Sequence, residues 1–136
     1  MANTTTTTRE IARDEWPDFF DGFSRRHDGW LVTIELLDPE LGDQIEVENK
    51  PLKGIVAERK RDPKTIDIFT WSTVDESMTH IIDQPTSVWV EEADDGAEIA
   101  LKIDSKDHAP TLLTLRSSAL PEEVDGMVPE RVERKS

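Results

Sequence analysis

The sequence predicts a mainly β domain of the α+β class, in which a single N-terminal amphipathic helix leads into an antiparallel meander of about eight strands. Three observations carry this. Apolar residues recur at helical spacing in one segment, between Asp14 and Gly29. From Trp30 onward the period becomes two, with turn residues every ten residues or so. No connection is long enough to hold a crossover helix, so the strands are expected to pair antiparallel. The expected architecture is a barrel or strongly bent sheet, with the helix over an open face or end; a two-layer sandwich is the alternative.

Residues 1–8 form a polar, threonine-rich stretch with nothing apolar to bury, so the cost of ordering it goes uncompensated and a disordered tail is expected. One folded domain is placed at residues 9–120, followed at 121–136 by a mobile charged tail of Pro, Gly and charge. The helix is read from Trp16, Phe19, Phe20 and Phe23, which fall at i, i+3, i+4 and i+7 and so stack on one face. Asp14 is its expected cap. Pro17 sits in the first turn, Glu15 and Asp18 complement the positive end, and Arg25, Arg26 and His27 complement the negative end before Gly29 stops it.

Trp30 to Leu37 is the first predicted strand and ends at Asp38-Pro39. Gln44 to Asn49 and Lys53 to Arg59 are read as separate strands, with Thr65 to Trp71 after the Asp62-Pro63 turn. Met78 to Asp83, Val88 to Glu92, Glu98 to Asp104 and Thr111 to Ser117 complete the set, joined through Gln84-Pro85, Asp94-Asp95-Gly96 and Asp107 to Pro110.

Composition narrows the function. The 136 residues suffice for one core without staples, and the absence of Cys excludes thiolate catalysis, iron–sulfur ligation and four-cysteine zinc sites. A reducing, cytoplasmic location is the expectation: the N-terminus lacks the basic start and apolar stretch of a secretory signal, and no apolar run approaches membrane-spanning length. Thirty Asp and Glu against sixteen Lys and Arg give a formal charge of −14, a field that repels phosphate backbones and anionic membranes. Neither nucleic acid nor membrane is an expected partner. Charge is also uneven: ten acids and one base lie between Thr65 and Asp104, whereas Arg59, Lys60, Arg61 and Lys64 cluster at one turn.

No signature of catalysis stands out. His27, His80 and His108 lack the spacing of a metal site on one element, and no metal or cofactor is expected. His27 reads as a helix-end cation and His108 as a loop residue; His80, between Met78 and Ile82, reads as the one histidine that could be buried. There is no glycine-rich phosphate loop, G-x-S-x-G turn or S-x-x-K sequence. Among four tryptophans Trp89 stands apart, because strand alternation puts it opposite Val88 and Val90 and beside Glu91. Burial under the helix is the structural expectation for it, and exposure would mark a binding surface. Glu91, Glu92, Asp94 and Asp95 follow, a solvated turn on the plain reading and a recruiting patch for a basic protein or peptide on the functional one. These five residues, Trp89, Glu91, Glu92, Asp94 and Asp95, are the candidate site.

The run from Arg13 to Thr33, with Asp14-Glu15-Trp16-Pro17, Phe19-Phe20-Asp21, Phe23-Ser24-Arg25-Arg26-His27 and Gly29-Trp30, resembles the opening of a family of small prokaryotic proteins of unknown function. Pro51 to Ile55, Thr79-His80, Thr111 to Leu113 and Leu120-Pro121 extend the resemblance over roughly residues 9 to 126. It implies a shared fold and supplies no activity, cofactor or catalytic residue. Three functions therefore stay open: a small acidic non-catalytic binding or stress-related accessory module, a small enzyme with acids and His80 at a barrel mouth, and a self-assembling structural protein.

Overall fold

The computed structural model describes residues 6–73, 75–106 and 108–117. Eight strands form one antiparallel sheet: β1 Thr6–Ile11, β2 Leu31–Asp38, β3 Gly42–Ala57, β4 Thr65–Trp71, β5 Ser77–Asp83, β6 Pro85–Ala93, β7 Glu98–Ser105 and β8 Thr111–Arg116. A short 3-10 turn, Arg13–Glu15, leads into the helix α1, Trp16–Arg26, between β1 and β2. The order across the sheet is β1-β6-β7-β8-β2-β3-β4-β5, so the sheet is open, with β1 and β5 at its edges. It is strongly bent, because only Gln84 separates the end of β5 from the start of β6, two strands far apart in that order.

The strand count agrees with the sequence reading for offsetting reasons. Gln44 to Asn49 and Lys53 to Arg59 are not two strands but parts of β3, sixteen residues long. Asn49 adopts a left-handed φ of 51° and its N–H takes the Thr33 hydroxyl as acceptor at 3.2 Å, which bends the strand without ending it. The first part of β3 pairs with β2 and the second with β4. The eighth strand comes instead from β1, since Thr6 to Thr8, read from sequence as tail, are paired with Ala93 to Glu91 of β6. Only Ile11 of β1 is buried. A strand held by its backbone ladder, with little apolar surface to place, leaves almost no periodic trace. Nor is the sheet a single meander: β2 to β5 and β6 to β8 are two meanders, joined where β8 pairs with β2. The expected tail at residues 121–136 lies outside the described residues, as does Met1 to Thr5.

The helix behaves as a lid. Trp16, Phe20 and Phe23 are at most 1% exposed and join Val32, Ile34, Leu52, Ile55, Ile66, Ile68, Val88, Val90, Leu101, Ile103 and Leu113 in one core, with Phe19 partly buried against it. Its N-terminus is anchored by the Trp16 indole, which donates to the Ile11 carbonyl at 3.0 Å. The expected cap is not used: Asp14 lies in the 3-10 turn, and Glu15 at the N-cap makes no side-chain capping bond. Gly29, at φ 81°, does stop the helix, and its N–H donates to the Leu52 carbonyl at 2.9 Å. α1 lies against β3 beyond the point where β2 ends its pairing at Pro51. There the Ser24 hydroxyl accepts from the Ile55 N–H at 2.8 Å and donates to the Ile55 carbonyl at 3.2 Å, so a helix side chain satisfies strand groups left without a neighbour.

Candidate functional site

Trp89 lies on the outer face of the sheet, not under the helix. Val88 and Val90, its neighbours in β6, are fully buried on the inner face, and alternation turns Trp89 and Glu91 outward. In register, Trp89 stands between Glu10 of β1 and Lys102 of β7, and Glu91 between Thr8 and Ala100. The small Ala100 side chain leaves a hollow of about 200 Å³, lined by Thr8, Trp89, Glu91, Ala100, Leu101, Lys102 and Leu112. Trp89 is half-buried, and its indole Nε1–H donates to Asp104 Oδ2 at 3.1 Å. That bond holds the ring in one orientation while leaving part of it open to a partner.

The four acids near it do not form one patch. Glu91 lines the hollow. Glu92 accepts from Arg9 of β1, at 3.3 Å to Nε and 3.4 Å to Nη2. Asp95 accepts the Ala97 N–H at 2.9 Å and so shapes the β6–β7 turn, in which Gly96 takes φ 88°. Asp94 is exposed on the same turn.

A second polar cluster lies on the inner side, where the sequence reading missed it. Between Glu91 and Glu92 the β6–β7 register shifts: Glu91 faces Ala100 and Glu92 faces Glu98, leaving Ile99 as an extra residue. By simple alternation Glu98 would share the outer face of Ala100 and Lys102. The bulge re-aims it to the end of α1. There its side chain, 8% exposed, accepts from Arg26 at 2.9 and 2.8 Å, a fork-to-fork pair. His27 is buried too, against Phe23 at 4.3 Å and edge-on to Trp30 at 4.8 Å between ring centroids. A carbonyl only accepts, so the 2.9 Å contact with Phe23 O places the proton on His27 Nδ1 and turns Nε2 to Glu98 Oε1, 3.6 Å away. Burial lowers the His27 pKa below its usual value, against the opposing pull of the Phe23 carbonyl and Glu98. The expectation of a solvent-exposed helix-end cation is thereby corrected: His27 is a buried core residue whose charged form burial disfavours, and the exposed cation at this helix end that pairs with Glu98 is Arg26.

His80 is only half-buried. The bend brings it together with His108, and both line a cleft of about 170 Å³ with Leu36, Ile81, Ile82, Asp83, Ala109 and Thr111. Burial lowers the His80 pKa, partly offset by the carboxylate of Glu46. Neither imidazole makes a hydrogen bond or ion pair to a described residue. The basic turn is largely neutralised: Arg59 pairs with Asp18 at 3.0 Å and with Asp21, both on α1, while Lys60 meets Glu58 at 3.5 Å and Lys64 meets Asp62 at 2.7 Å. That pairing reduces the charge polarity on which head-to-tail assembly would rest.

Among the described residues no group of three or more His, Asp and Glu side chains is placed to hold a metal ion, and no helix is long and apolar enough to cross a membrane. No solved structure matches this chain. An uncharacterized protein of Aquifex aeolicus (strain VF5) is 33% identical over 116 residues, which cover 85% of this chain and 98% of that one. The model of a family of unknown function, DUF5335, matches residues 7–124. With most of its length matched in this way, the chain belongs to the DUF5335 family.

Proposed function

We propose that this domain is a non-catalytic binding module that docks a basic segment of a partner protein on the outer face of β1, β6, β7 and β8. One observation carries the reading: Trp89 is oriented by Asp104 and half-open beside a hollow with Glu91 on its wall. An aromatic ring fixed in place contributes contact area at little entropic cost and accepts a cation over its face. Charge argues for a basic occupant, since Glu91 lines the hollow, Asp94 and Asp95 sit on the adjoining turn, and the chain carries a formal −14. Lys102, on the opposite wall, lies 3.6 Å from Asp104 and is partly compensated by it.

The test is an NMR titration with a Lys- and Leu-containing peptide, followed at the Trp89 indole N–H and the amides of Thr8, Glu91, Lys102 and Leu112. Saturable shifts centred there, weakening as salt rises and falling about ten-fold or more in affinity in Trp89→Ala and Glu91→Gln, support the reading. Shifts spread evenly over the acidic surface and unchanged by Trp89→Ala refute it.

One observation favours a second reading, a small-ligand or catalytic site at His80: the fold brings it beside His108 in a cleft that also includes Asp83. It ranks below the first because no described group orients either ring, and a working imidazole base has its tautomer held by a partner.

A further inference from the structure

Between β5 and β6, where Gln84 alone joins two strands far apart in the sheet order, residues from four separate segments meet. The Gln84 backbone N–H donates to Lys64 O at 2.8 Å, and its carbonyl accepts from the Lys106 N–H at 3.0 Å, so one residue ties the β3–β4 turn to the β7–β8 turn. To do so it takes a left-handed φ of 50°, one of two such non-glycine residues among those described. Arg13, from the turn before α1, completes the corner. It donates to Pro85 O at 2.9 Å, Pro63 O at 3.3 Å and Asp62 Oδ1 at 3.0 Å, with its guanidinium 4.6 Å from the centre of the Trp16 ring. A cavity of about 220 Å³ opens between these segments, and its lining includes Arg13, Lys64, Lys106, Gln84 and Thr86.

Among the described residues three cations line this space against one acid, Asp62, which both Arg13 and Lys64 share. The Lys106 ammonium has no ion pair among the described residues, and the Gln84 amide and Thr86 hydroxyl make no side-chain hydrogen bond to them. In a chain with nearly twice as many acids as bases, such a local excess is against the general field. Arg13 is held in place by its three bonds, the Lys64, Gln84, Thr86 and Lys106 side chains are exposed around it, and the volume is smaller than the roughly 300 Å³ at which drug-sized pockets begin. We infer that this corner binds a small dianionic oxyanion, inorganic phosphate or the phosphate group of a small monoester, between Lys64, Lys106 and the Gln84 and Thr86 side chains, with Arg13 as its fixed positive wall. The site lies apart from Trp89 and does not depend on the docking surface proposed above.

The test is an amide NMR titration of the intact protein with sodium phosphate and, separately, glycerol 3-phosphate, against sodium chloride at matched ionic strength. Saturable shifts at Lys64, Gln84, Thr86 and Lys106 are expected with both phosphates and not with chloride, and Lys64→Met/Lys106→Met should weaken binding by about ten-fold or more. Lys106→Met alone, at an exposed side chain, should weaken it by about three-fold or more and provides the same test if the double variant fails to fold. Shifts that match those in chloride overturn the inference, as does phosphate affinity unchanged in Lys106→Met. A phosphoserine peptide that binds far more tightly than either small phosphate would overturn the small-molecule assignment.

Discussion

Replacing Phe20 with alanine tests whether α1 is the lid of the core or a detachable appendage. Phe20 is fully buried, and Phe19, its neighbour in the helix, is only partly so, with the rings 5.4 Å apart edge to face. Burying a phenylalanine removes about 200 Å² from water, which at about 25 cal/mol per Å² amounts to about 5 kcal/mol before the retained methyl is subtracted. Measured losses for buried Phe→Ala fall at about 3–5 kcal/mol, against a typical domain stability of about 5–15 kcal/mol. The melting temperature should therefore drop by about 10–20 °C. Phe19→Ala makes the same chemical change one residue away, so helix propensity is matched and burial differs; its loss should be clearly smaller. Urea unfolding of both variants, with near-ultraviolet circular dichroism as the probe of aromatic packing, measures the difference. Equal losses at the two positions, or a loss below about 1 kcal/mol at Phe20, would refute the claim that the helix closes the core.

Stability should depend on pH near neutrality through the histidines. The pKa values of His27 and His80 are lowered by burial in the folded state, so the unfolded chain binds protons first; their contribution is fully present above the unfolded value of about 6.5 and declines as pH falls below it. Urea midpoints should thus be lower at pH 6 than at pH 7.5, and His80→Gln should shrink that difference; a flat profile in the parent protein would contradict the assignment. Gly29→Ala forces a side chain into a backbone with φ 81° where nothing crowds the site within 4 Å, so its cost is conformational alone, about 1–2 kcal/mol by thermal melting.

The class of the fold, the helix and its buried face were legible in the residues alone, because these rest on spacing along the chain. Trp16, Phe20 and Phe23 lie on one side of any helix through them, and Val88 and Val90 lie opposite Trp89 in any regular strand. Its outward direction became a statement about function only when the structure showed which face of β6 the core covers. β1 escaped detection because Thr6 to Glu10 are held by pairing with β6 while their side chains remain exposed. Glu98 escaped it for a different reason: the Ile99 bulge reverses the face that alternation assigns, and a bulge is set by the partner strand's register. The meeting of Arg26 and His27 with Glu98, of His80 with His108, and of Arg13 with Lys64 and Lys106 joins residues far apart in the chain. Periodicity records what a segment does to its own neighbours, whereas the first of these clusters depends on the bulge at Ile99 and the other two on the bend that brings separate turns together.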